Sequence, residues 1–87
     1  MAKPSPTYAG DPSLVALGQA IRHYRSREGL SQESLALHAG LDRSYLGGVE
    51  RGEHNIAVVN LFRIASALNV SVAQLFKEAS LQKDVAI

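Results

Sequence analysis

The sequence has no cysteine, which excludes disulfide cross-links and a cysteine-based zinc site and fits a reducing compartment. No apolar run approaches the ~18 residues of a membrane span. The opening segment, residues 1–10, has none of the continuous apolar stretch of a signal peptide. These absences set the expectation of a cytoplasmic protein with no membrane partner. A surplus of one charge sign is also missing: 9 Lys+Arg stand against 8 Asp+Glu, a formal net charge of +1. Polyanion binders draw much of their affinity from neutralised phosphates, so composition alone does not point to nucleic acid. A near-neutral chain can bind one only through cations grouped on a single face. The three histidines, His23, His38 and His54, are not spaced as metal ligands on any one element. The serines lack a His–Asp partnership of the kind nucleophilic catalysis needs. No metal, cofactor, small-molecule ligand or enzymatic activity is therefore expected. A chain of 87 residues builds one modest core and no cleft between two domains.

No alternating strand pattern, hairpin signal, internal repeat or low-complexity stretch appears, and helical signals fill the chain instead. Residues 1–10 hold two of the 3 prolines and read as a mobile arm, with residues 11–78 as the folded domain. Asp11-Pro12-Ser13 opens a first helix, with a polar cap and a proline suited to the first turn. Leu14, Leu17, Ile21 and Tyr24 form its inner face, and Gly29 stops it. Ser31 caps a second helix that ends at Gly40. Asp42 caps a third, from Arg43 to about Arg51, stopped by Gly52. After a loop over 53–57, a fourth helix runs from about Val58 to Leu68. Val58, Leu61, Ile64, Ala65 and Leu68 are expected to face inward, and Asn69 is expected to stop it. Ser71 caps a short fifth helix carrying Val72, Leu75 and Phe76. Residues 79–87 are expected to fray as a tail, with Leu81 able to dock.

The turn between the second and third helices is about three residues around Gly40, so these helices should cross sharply rather than lie antiparallel. Small Ala36 suits a close approach. Leu46 and Val49 should pack inward on Leu35 and Ala39, with Leu41 plugging the turn. Arg43, Ser44 and the pair Gly47–Gly48 are left on the outer face of the third helix, whose beginning enters the major groove in helix-turn-helix architecture.

The run Leu30-Ser31-Gln32-Glu33-x-Leu35-Ala36, then Ala39-Gly40-Leu41, Tyr45-Leu46 and Val49-Glu50-Arg51-Gly52, resembles the phage-repressor-type (Cro/C1 or XRE) helix-turn-helix family. Asn55-Ile56, Ile64-Ala65-x-Ala67-Leu68-x-Val70 and Leu75-Phe76 continue the likeness. Within that family the segment Arg43–Gly52 is most similar to controller proteins of restriction–modification systems. The resemblance implies an all-α, compact, five-helix lambda-repressor-like fold and a repressor or activator of transcription that binds double-stranded DNA. It also implies residue roles. Gln32 would hydrogen-bond a phosphate beside the start of the second helix. Arg43 would read guanine bidentately, and Ser44 would meet a base edge or thymine methyl. Tyr45 would touch a phosphate or line the sugar wall, and His54 and Asn55 would meet the next phosphates. Arg25 would pair with a partly buried Glu50, locking the first helix to the third.

Several positions keep two readings. Tyr45 is either a backbone contact or a rim residue over Leu41. Arg51 is either a phosphate contact or a structural cation at the negative end of the third helix. Gly48 replaces the longer polar side chain of some relatives. With Gly47 it suggests that something, such as the DNA wall, comes close to bare backbone. Ala57 stands where relatives often carry a capping serine, which should weaken the start of the fourth helix. Val59 and Phe62 lie off the inner stripe and suggest a homodimer built on the fourth and fifth helices. The competing reading is an antitoxin-like or other protein-interaction module on the same fold.

Overall fold

The computed structural model describes residues 8–83, and most of the expected arm and the end of the expected tail lie outside the described residues. Five helices follow one another: α1 (Pro12–Arg27), α2 (Gln32–Ala39), α3 (Arg43–Glu50), α4 (Val58–Ala67) and α5 (Val72–Lys83). No strand occurs among the described residues. Polar caps set four of the five starts. The Asp11 carboxylate accepts from the Ser13 N–H at 2.8 Å, and Ser31 Oγ accepts from the Ser34 N–H at 3.0 Å. Asp42 accepts from the Tyr45 N–H at 3.3 Å. Ser71 and Gln74 cap α5 reciprocally: each side chain accepts from the other's backbone N–H, at 3.0 and 2.7 Å. The start of α4 has no such bond, as the alanine at position 57 led one to expect.

One core joins all five helices. Leu17, Ala20 and Ile21 of α1, Leu35, Ala36 and Ala39 of α2, and Leu46 and Val49 of α3 are buried together. Leu61, Ile64, Ala65, Leu68, Leu75 and Ala79 complete it from the C-terminal half. The sharp α2–α3 turn forms as expected, with Gly40 in the left-handed region at φ 70. Asn69 at φ 58 ends α4 in the same conformation.

Four expectations need correction. Val58 does not face the core: it is 67% exposed. As the first residue of α4 its side chain points beyond the helix end, and the inner stripe begins at Leu61. The fifth helix does not end near residue 78. It continues to Lys83 because Ala79 is buried against the rest of the core, and α5 packs along α1. Leu81 on that added turn is exposed rather than docked. Residues 8–10, read as the end of the arm, form a turn in which the Gly10 N–H donates to the Gly52 carbonyl at 2.9 Å. That bond satisfies an acceptor just beyond α3 and fastens the chain entry beside it.

Gly18, in the middle of α1, allows the α1–α3 crossing. A Cβ there would overlap the carbonyl oxygens of Val49 and Glu50. The sequence signal was an isolated glycine inside a helical pattern, which often marks such an approach.

Candidate nucleic-acid interface

The Asp42 cap fixes where α3 begins, and so places Arg43 and Ser44 on its first turn. Arg43 is exposed, while Ser44 and Tyr45 are half-buried. The helix is held from behind by the expected ion pair. Arg25 Nε donates to Glu50 Oε2 at 2.7 Å and its Nη2 donates to Oε1 at 3.1 Å, with the two side chains only 13% and 3% exposed. This bidentate contact satisfies Glu50, the one buried charged residue among the described residues. Arg25 Nη1 also donates to the Leu30 carbonyl at 2.9 Å, tying the α1–α2 connection to the same point.

Gln32, expected to reach outward to a phosphate, also turns inward. Its Nε2 donates to Glu50 Oε1 at 3.0 Å, and its Oε1 accepts from Arg43 Nη1 at 3.5 Å. The carboxylate only accepts, so it turns the amide nitrogen inward and the amide oxygen toward Arg43. A primary amide has two N–H donors, so the second remains as a donor for an outside oxygen.

Further along α3 the close neighbour of Gly48 is a side chain of this protein. A Cβ at Gly48 would meet the His54 ring. Gly48 is buried, so it presents no backbone to an outside wall. The His54 ring in turn lies against Tyr45, with ring centroids 5.0 Å apart. Asn60 Nδ2 donates to the Tyr45 hydroxyl at 3.3 Å. Tyr45 is thus both a rim residue packed on the core and the link between α3, the following loop and α4. Asn60 was not foreseen, because a contact 15 residues apart leaves no local pattern. Asn55 is exposed on the same loop.

Arg51 follows the last turn of α3. Its Nε and Nη2 donate to the two carboxylate oxygens of Glu53 at 2.8 and 3.2 Å. These hydrogen bonds hold the Glu53 carboxyl below its ordinary range and raise the Arg51 guanidinium above its own. The start of α2 and the outer face of α3 bring Gln32, Arg43 and Arg51 together around Gly47, and His54 lies further along, beside Gly48 and Tyr45. Val59 and Phe62 lie elsewhere, on α4, bordering a groove against His38 and Ala39 of α2.

A profile of the helix-turn-helix family HTH_3 matches residues 21–75. The chain is 43% identical over 68 residues to control protein C.SmaI of Serratia marcescens, which covers 78% of this chain and 81% of that protein. The restriction-modification controller protein C.AhdI from Aeromonas hydrophila superposes with a TM-score of 0.71 at 52% identity, over 72% of this chain and 96% of that one. The biofilm master regulator SinR, solved in complex with DNA, superposes with a TM-score of 0.65 at 38% identity, over 68% of this chain and 95% of that one.

Proposed function

Because the chain belongs to the helix-turn-helix family HTH_3, we infer that it regulates transcription by binding double-stranded DNA, with the front of α3 in the major groove. The observation that carries this reading is the placement of Arg43. Its guanidinium stands exposed at the start of α3, braced by an amide whose direction is dictated by the buried Glu50. A pre-oriented planar donor pair suits guanine O6 and N7. Ser44 reads beside it. Gln32, Tyr45, Arg51, His54 and Asn55 position the backbone through phosphate contacts. Gly48 contributes only by making room for His54. The protein works in the cytoplasm as a homodimer on a pseudo-palindromic operator and catalyses no reaction. It resembles proteins named as controllers of restriction–modification systems, which supports control of neighbouring genes.

Selection of bound duplexes from a random library tests the reading. The expected product is a two-fold symmetric site whose halves lie about one helical turn (~34–36 Å) apart. Arg43→Ala should lose ~1–3 kcal/mol of specific binding and relax the selected sequence at one base pair per half-site. Equal losses on all sequences would make Arg43 a phosphate contact. No enrichment of any duplex, with the protein folded, would overturn DNA recognition and favour a protein-interaction module.

A further inference from the structure

We propose that Glu53 is a specificity-determining residue that occupies the Arg51 guanidinium in the free protein, so that only a closely docked phosphate takes Arg51 from it. The proposal rests on the DNA-binding reading above and adds a mechanism to it. The Arg51 side chain is 61% exposed and Glu53 28% exposed, at the edge of the face that carries Arg43 and Gln32. Their contact is bidentate, with both carboxylate oxygens engaged at 2.8 and 3.2 Å. Such a pair adds little to folding, because water screens it and the residues are only two apart. Its consequence lies in competition. A carboxylate and a phosphate offer a guanidinium the same geometry of paired acceptors, so Arg51 serves Glu53 or the DNA, not both at full strength.

The position of the guanidinium supports this role. Arg51 Nη1 lies 3.2 Å from where a Cβ on Gly47 would be, and Gln32 Oε1 lies 3.5 Å from that same point. The bare Gly47 thus lets Arg51 lie across the outer face of α3, on the side where Gln32 approaches. Arg43 and Arg51 are the two arginines of this face. With Arg51 matched by Glu53 in the free state, Arg43 is the arginine of this face whose contact is to a neutral amide and not to a carboxylate. Loosely held, non-cognate DNA keeps its phosphates hydrated and at varying distance, and does not compete well with a preformed pair. On a cognate site, base contacts hold a phosphate at contact distance, and Arg51 changes partner. Glu53 thereby subtracts an electrostatic contact from non-specific complexes while leaving it available in the specific one.

Glu53→Gln in the full chain tests this on the selected operator and on an unrelated duplex, each over 50–200 mM salt. On unrelated DNA the salt slope should steepen by about 0.9 for each bound protomer and affinity at 50 mM should rise roughly threefold or more. The slope on the operator should stay the same, so the ratio of specific to non-specific binding falls. The same substitution in an Arg51→Ala background should leave the slope on unrelated DNA unchanged. An equal gain in that background would mean that Glu53 acts through its general field, and would overturn the proposal. So would an unchanged slope on unrelated DNA for Glu53→Gln alone. If the wild-type protein binds no duplex, the underlying DNA-binding reading fails instead, and the two failures are told apart.

Discussion

Glu50 accepts hydrogen bonds from side chains 25 and 18 positions before it, and through Gln32 its influence reaches Arg43 at the surface. The Arg25–Glu50 half of this chain of contacts was legible in the sequence, because the resemblance carried it to matching positions. The Gln32 half was not. Gln32 reads in the sequence as a polar residue opening α2, and nothing in its spacing reveals that its amide also turns inward. The pair has an energetic consequence that can be measured. Arg25→Met leaves a carboxylate with 3% side-chain exposure and only the Gln32 amide beside it. The loss of stability should be ~3–5 kcal/mol, because the desolvated charge is no longer compensated. Arg25→Met combined with Glu50→Leu should recover much of that loss, since two apolar side chains of similar size carry no charge to desolvate. Urea unfolding of the three proteins checks this. A single variant as stable as wild type would show that the pair is not effectively desolvated.

α4 begins without a side-chain cap, and this weakness belongs to the element rather than to any site. The Ala57 backbone, at φ −64 and ψ 140, already has the extended conformation of a capping residue. The Asn60 N–H, bonded at 3.0 Å to the Ala57 carbonyl, sits where a capping hydroxyl would find it. Ala57→Ser should therefore stabilise the protein by ~1 kcal/mol, raising the urea midpoint without changing the slope of the transition. No gain would mean that the start of α4 is held by its packing alone. The other helix starts show why caps were the most readable part of the fold. Asp11, Ser31, Asp42 and Ser71 are short polar side chains just before an apolar period, and that local rule depends on nothing distant. The far end of α5 had no comparable mark. Only one small apolar residue, Ala79, holds the added turn to the core, and an alanine hardly registers in a hydrophobic pattern. Val58 failed in the opposite way. It fits the period of α4 but stands at the helix end, where the period continues and the core does not.

At the scale of the whole molecule, one copy measures 30 × 27 × 20 Å and presents a single two-turn recognition helix. A lone module of this size buries too little DNA surface for tight, specific binding, and the proposed operator, with half-sites one turn apart, would call for two copies ~34–36 Å from centre to centre. The surface best suited to join them is the outer side of α4. Val58, Val59 and Phe62 are 67, 57 and 59% exposed there, and Phe62 lies one helical turn beyond the two valines, which makes a small apolar strip. Val59 and Phe62 border a groove against His38 and Ala39, at the opposite end of α2 from Gln32, so an interface there would leave the proposed DNA face open. Phe62→Glu places a charge on this strip at a position that is 59% exposed and outside the buried core. The variant should keep its far-UV spectrum and sediment as a monomer at micromolar concentration. It should also bind an isolated half-site as the wild type does while losing the advantage of the full operator. A folded variant that remains dimeric at that concentration would move the interface away from α4, and Phe76→Glu on the partly exposed face of α5 would then decide whether the fifth helix carries it instead.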